Sequence, residues 1–258
     1  MIGPEDALLT DRVAVVTGAA VGIGAATAIA LARFGADVAI CDRDADGMAV
    51  TAAQIEQTGR KALTDELDVR DADEVEAFLA SVAATFGHVD VLVNNAGGGF
   101  YAAFADVTPK GQDALIRENF VSVSDFIRGA LPLMGPGSSI INITSIEAHR
   151  GAPGYAVYSA MKAAVANLTK TLALELGPRM IRINCVAPDV IPTPGIGPVS
   201  DPPNTPLPRN GQVDDVAGAV VWLAGSLSSF VTGSTVHVDG GNLAAAGWKR
   251  QPDGRYTT

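Results

Sequence analysis

Short runs rich in β-branched residues alternate with longer runs at helical spacing along this chain. The short runs are Val13–Thr17, Val38–Cys41, Ala62–Leu67, Val89–Asn94, Ile140–Thr144, Ile181–Val186 and Thr235–Val238. Strands separated by helix-length segments cannot pair as hairpins. They pair in parallel through crossovers, which puts helices on both faces of one sheet. Most of the runs are apolar, as strands covered on both faces must be. The expected architecture is therefore α/β, a doubly wound parallel sheet of seven strands. Helix punctuation supports it: Gly35, Gly59, Gly87 and Gly177 are expected to end helices, and Thr108-Pro109 to start one.

At 258 residues the chain suits one such domain. No linker or repeat divides residues 1–258, so one catalytic domain is expected. Its irregular parts are a proline-rich loop over about 188–211 and a C-terminal extension over about 242–258. Val13–Ala32 and Val216–Val238 are long and uncharged, but their glycines and serines read as strand, turn and helix in a core and not as membrane spans. The formal net charge of −10 argues against nucleic acid or an anionic membrane surface as partner. Two cysteines, Cys41 and Cys185, are too few for a disulfide framework or zinc site. No metal is expected, and with no basic leader before Asp11 the expected setting is cytoplasmic.

The first strand leads into Thr17-Gly18-Ala-Ala-Val21-Gly22-Ile23-Gly24 and an apolar helix. Glycines there allow a tight turn, close approach of backbone to a pyrophosphate, and close packing of helix on strand. The helix N-terminus offers unpaired N–H groups and a positive dipole end to phosphates. Asp42 ends the second strand, 24 residues after Gly18. A carboxylate there accepts hydrogen bonds from ribose hydroxyls and repels a 2′-phosphate, which favours NAD. Arg43 beside it has the opposite preference, since arginine can hold a 2′-phosphate.

Tyr158 and Lys162 lie one helical turn apart on one face. A lysine ammonium beside a tyrosine favours the phenolate and makes it a usable base. Such a pair alone is more often a surface feature. Here Ser145 ends the fifth strand, and Asn94-Asn95-Ala96-Gly97 ends the fourth, at the edge where open parallel sheets bind ligands.

With these pieces in view, the chain resembles the single-domain members of the short-chain dehydrogenase/reductase family. The matching stretches run in order: Thr17-Gly18-xxx-Gly22-Ile23-Gly24, Asp68-Val69, Asn94-Asn95-Ala96-Gly97, Asn119, Ser145, Tyr158-xxx-Lys162, Asn184 with Pro188, Ile191-Pro-Thr193-Pro194, and Thr232-Gly233 before Val238-Asp239-Gly240-Gly241. The resemblance implies a Rossmann-like fold and hydride transfer between NAD and a secondary alcohol or ketone. It implies Tyr158 as acid/base, Lys162 lowering its pKa and binding nicotinamide ribose, and Ser145 polarising the substrate oxygen. Asn119 would hold a water in a proton relay. Gly18, Val21, Gly22, Ile23, Gly24, Asp42 and Arg43 would line the cofactor. Asp68 and Val69 would contact adenine. Asn95, Ala96, Gly97 and Pro188 would lie along the cofactor, and Ile191 and Thr193 would hold the carboxamide. A homotetramer is implied, paired through the helices carrying Asn119 and Tyr158 and through the last helix and strand, where Val216–Leu223 and Val236 are apolar.

Three positions depart from the pattern: Met161 replaces a frequent serine, Asp189 replaces a glycine after the proline, and the loop after Thr193 is short. Gly98, Phe100, Glu147, Tyr155 and Asp189 are the candidate substrate residues. Phe100, Ile146 and Tyr155, with Trp248 as a cover, suggest an apolar, steroid-like or acyl-chain substrate. Glu147 and Asp189 argue the other way, for hydroxyl or amine groups. Two other functions stay open: an NADPH-dependent 3-oxoacyl-carrier-protein reductase, disfavoured by Ala20 and Val21 where those relatives usually carry a basic residue, and a catalytically silent NAD-binding regulator, disfavoured by the presence of both Tyr158 and Lys162.

Overall fold

A computed structural model describes residues 1–194, 196, 205–251 and 255–257. Seven strands form one parallel sheet: β1 (Val13–Thr17), β2 (Asp37–Asp42), β3 (Ala62–Glu66), β4 (Val91–Asn94), β5 (Ser139–Ile143), β6 (Arg182–Pro188) and β7 (Thr235–Val238). Their order is β3-β2-β1-β4-β5-β6-β7. The alternation of short and long runs therefore translates into the architecture expected of it.

Side-chain alternation splits the core in two. Ala14 and Val16 of β1 face one layer, with α1 (Gly22–Arg33), α2 (Ala45–Glu56) and α7 (Val213–Ala224). Val15 faces the other, with α3 (Ala72–Phe86), α5 (Ser122–Ala130) and α6 (Ala156–Leu176). In that second layer Phe78 and Phe126 meet edge to face, their ring centroids 6.2 Å apart. Val216, Val220 and Leu223 are fully buried in the first layer. Their apolarity is consumed by this chain's own core, so it gives no reason for a second subunit at that point.

Caps follow the local chemistry. Thr108 Oγ1 accepts the Gly111 N–H at the start of α4 (Pro109–Ile116), and Asp71 accepts two N–H groups at the start of α3. Gly87 closes α3 in the left-handed region. Gly177 ends α6 as expected, though not in the left-handed region. It keeps helical angles, the chain tightens into a 3₁₀ turn, and Met180 takes the positive φ instead. Two short strands, β8 (Lys249–Arg250) and β9 (Tyr256–Thr257), pair antiparallel after α8 (Asn242–Ala245). The described parts of the 188–211 loop beyond β6 are irregular, as expected; residues 195, 197–204 lie outside the described residues. Among the described residues, no helix is long and apolar enough to cross a membrane.

β1 pairs with β2 on one side and β4 on the other. Crossovers leave β1 in opposite directions, so a crevice opens at the carboxyl ends of β1 and β4. Most of the candidate residues line this crevice.

Candidate active site

The crevice is a cavity of about 720 Å³. One end is the turn between β1 and α1. Gly18 and Gly22 have positive φ there. Gly24 sits so close under the turn that a Cβ would lie 2.0 Å from Gly18 O. Thr17 Oγ1 accepts the N–H groups of Asn95 and Ala96, and the Asn95 amide donates to the carbonyls of Thr17 and Gly18. The ends of β1 and β4 are thereby tied together. Asn95 acts from behind the turn, shaping the cradle.

Asp42 closes the next section. Its carboxylate accepts the N–H groups of Ala20 (3.0 Å), Arg43 (2.7 Å) and Asp44 (3.2 Å). Arg43 also lines the cavity, with its guanidinium 3.8 Å from Glu118. Leu67 and Val69 form the wall beyond, but Asp68 does not. The segment alternates, so Leu67 and Val69 share one face, and the Asp68 carboxylate is clamped by Arg70, which holds it below the usual carboxylate range, with Arg43 of the cavity wall adding to the effect. Leu67 was legible from the same alternation and was missed, as was Glu118.

The cradle fits a dinucleotide. Its floor is bare backbone at a helix N-terminus, and Gly97 lies where a Cβ would come within 2.7 Å of Asn119 Oδ1 and 2.9 Å of Lys162 Nζ. Pro188, Ile191 and Thr193 line the other side, and the Thr193 methyl lies over Gly22.

At the far end Ser145, Tyr158 and Lys162 meet. Ser145 is held by the 3₁₀ turn Ile146–Ala148, which it caps by accepting the Glu147 N–H at 3.1 Å. α6 carries the other two. Its register is set by a buried chain of polar groups: Asn94 donates to Asn142, Asn142 to Thr169 on α6, and the Cys185 thiol to Thr169. Lys162 is buried, with Nζ 3.0 Å from Ile143 O and 5.7 Å from the Tyr158 ring centroid. Burial lowers its pKa to about 8, with Glu118 and Cys185 pulling the other way. Burial raises the pKa of Tyr158; the hydrogen bond from Ser145 offsets this in part, and Glu147 and Tyr155 add to it. Without cofactor, then, the burial of the phenol outweighs any help from Lys162, and Tyr158 holds its proton at neutral pH.

Asn119 is fully buried and lies outside the cavity wall. It sits in a π-helical turn, Arg117–Val121, between α4 and α5. Its amide donates to Gly98 O and Leu115 O, and its Oδ1 accepts the Gly98 N–H. With its side chain engaged in this way, Asn119 fastens the Gly98 segment of the cavity.

The candidate substrate residues divide. Gly98, Glu147, Tyr155 and Asp189 line the cavity, together with Gly99, Val190 and Ile196. Phe100 does not: its ring edge lies against Gly111 of α4. Ile146 is buried in the protein, and Trp248 is half exposed away from the wall. Of the expected apolar walls, Gly98, Gly99 and Tyr155 are in place, and Phe100 and Ile146 are not part of them. Asp189 keeps an ordinary negative φ, so the family glycine is not needed for the turn. His149 stacks edge to face on His237, 4.8 Å between centroids, outside the cavity.

Comparison with known proteins decides the family. A family profile described as enoyl-(acyl carrier protein) reductase matches residues 18–242. The chain belongs to the short-chain dehydrogenase/reductase family. A dehydrogenase/reductase from Sinorhizobium meliloti superposes with a TM-score of 0.89 at 37% identity, covering 92% of this chain and 97% of that one. An L-rhamnose 1-dehydrogenase (NAD(P)+) of a Sphingomonas species is 37% identical, over 91% of this chain and 97% of its own. A 3-oxoacyl-[acyl-carrier-protein] reductase of Thermotoga maritima is 35% identical, over 90% and 98%. Members of this family are oxidoreductases that use NAD or NADP.

Proposed function

We propose that this oxidoreductase moves a hydride between NAD(H) and a secondary alcohol or ketone. The observation that carries the reading is the meeting of Ser145, Tyr158 and buried Lys162 at one end of a cleft whose other end is a glycine turn fitted to pyrophosphate. The nicotinamide, when bound, supplies the hydride acceptor or donor. Ser145 and Tyr158 hold the substrate oxygen between their hydroxyls. Tyr158 removes the hydroxyl proton in oxidation and returns it in reduction. The positive charge of Lys162, placed along the ring, favours the phenolate at that moment. Asp42 sets the preference for NAD by facing the adenosine ribose.

The two named relatives act on a sugar and on an acyl-carrier substrate, so they do not choose between substrates for this chain. Ala20 and Val21 at the glycine turn support NAD over the NADPH-dependent carrier-protein reaction. Tyr158 and Lys162 stand together, which supports an enzyme over a silent regulator. We place it in the cytoplasm as a homotetramer. The direct test is a panel of secondary alcohols with NAD and of ketones with NADH, followed by the absorbance of NADH. Turnover of members of either set is the expected result; none with any compound would overturn the reading.

A further inference from the structure

The substrate end of the cavity carries two carboxylates that the hydride-transfer chemistry does not use. Glu147 lies two residues after Ser145, and its backbone N–H donates to the Ser145 hydroxyl. Its carboxylate is close enough to Tyr158 to raise that group's pKa. Asp189 follows the proline that ends β6, at the position where the family pattern has glycine. Both line the cavity.

These carboxylates are built in. Arg150 reaches Glu147 Oε1 at 2.8 Å and lies 3.9 Å from Asp189 Oδ1. Asn242, on α8, donates to Asp189 Oδ2 at 2.6 Å. α8 is itself capped by Asp239, whose carboxylate accepts the N–H groups of Gly241 and Leu243. One guanidinium thus serves two carboxylates, leaving one net negative charge on residues that line the same cavity as Ser145 and Tyr158. Carboxylates are acceptors only. A substrate that fills this space with hydrocarbon strips water from carboxylates that still carry net charge, and one that brings a carboxylate meets like charge.

We infer that Glu147 and Asp189 select a substrate bearing a neutral hydroxyl close to the reacting carbinol, a diol or polyol, and exclude apolar-chain and anionic alcohols. This rests on the hydride-transfer reading and names the substrate class for the same site.

The test uses three small alcohols of nearly equal size: the vicinal butanediol, the secondary butanol and β-hydroxybutyrate. Each is oxidised with NAD by the wild type, Asp189→Asn and Asp189→Gly. Ratios of kcat/KM within one protein cancel any damage to folding or to the cofactor cleft. The wild type is expected to favour the diol over the butanol by about 10- to 100-fold, the value of a hydrogen bond to a charged group. Asp189→Asn should shrink that ratio about tenfold and improve β-hydroxybutyrate relative to the diol. Binding of the same three compounds, followed by NMR shifts without turnover, should rank them in the same order. A wild-type ratio near one, or a ratio unmoved in both variants, overturns the inference and leaves hydride transfer standing. Absence of turnover with these compounds and with the wider panel of alcohols and ketones overturns both.

Discussion

At the tip of β2 the Asp42 carboxylate accepts three backbone N–H groups and still faces the cavity. A 2′-phosphate would bring negative charge against a carboxylate that cannot swing away without abandoning those bonds. Charge-assisted hydrogen bonds are worth about 1.5–3 kcal/mol, so at least tenfold preference for NAD is expected in kcat/KM. Asp42→Gly should erase the preference, since Arg43 stands next to it. Equal use of NAD and NADP by the wild type would contradict this assignment. Lys162 makes a separate prediction about stability. Its pKa falls from the ordinary 10.5 to about 8 because burial penalises the charge. Below pH 8 the lysine is charged in both folded and unfolded chains, and the fold bears the full cost of burying it. Between pH 8 and 10.5 only the unfolded lysine keeps its proton, so stability contributed at this site rises with pH. Lys162→Met should therefore stabilise the protein at pH 7 by roughly 1–3 kcal/mol after the lost bond to Ile143 is counted. That gain should vanish near pH 10.5. Urea unfolding at the two pH values measures both; a variant less stable at pH 7 would contradict the cost assigned to the buried charge.

Elements were more legible in the sequence than their junctions. All seven strands lie where the short runs stand; the inner ones are mostly apolar because both faces are covered, while the edge strands β3 and β7 are partly exposed. The glycine turn and the Tyr158–Lys162 face were readable because chemistry fixes their spacing. The π-turn at Asn119 was not: it depends on one extra residue in a helix and leaves no mark in the hydrophobic period. It shifts the helix face and brings in Glu118, which the sequence reading missed. Phe100 misled for a related reason. Its position after three glycines said it was near the cavity but not which way the ring would turn. Arg150 and Asn242 reach Asp189 across 39 and 53 positions, and such pairings are invisible without the fold. The polar chain under α6 offers an element-scale test. Asn142→Val would strip the Asn94 amide of its acceptor and leave Thr169 only its bond to Cys185, in a dry interior where an unsatisfied group costs about 1–3 kcal/mol. Thermal unfolding should show that loss, together with reduced turnover as α6 loses its register. A variant as stable and active as the wild type would show that the chain does not position the helix.

On the scale of the whole molecule, the inner face of α7 is spent on its own core, so the surface that would join subunits has to lie elsewhere. Leu174 on α6 is 80% exposed, and Phe230 is fully exposed. Phe34, Trp222 and Leu227 border a further apolar hollow. Large exposed side chains of this kind favour assembly. Light scattering at micromolar concentration should find a tetramer; a monomer would contradict the assembly.

The arrangement as a whole exists to bring one phenol, one hydroxyl and one buried lysine to the end of a dinucleotide cleft, and Tyr158→Phe tests that most directly. The substitution removes the transferable proton and leaves the ring packed against Tyr155 and Gly99. Turnover of whichever alcohol the wild type oxidises should fall by roughly 10²–10⁴-fold, while NAD binding measured by calorimetry stays within about twofold. Near-normal turnover in the variant would contradict the assignment of Tyr158 as the acid/base.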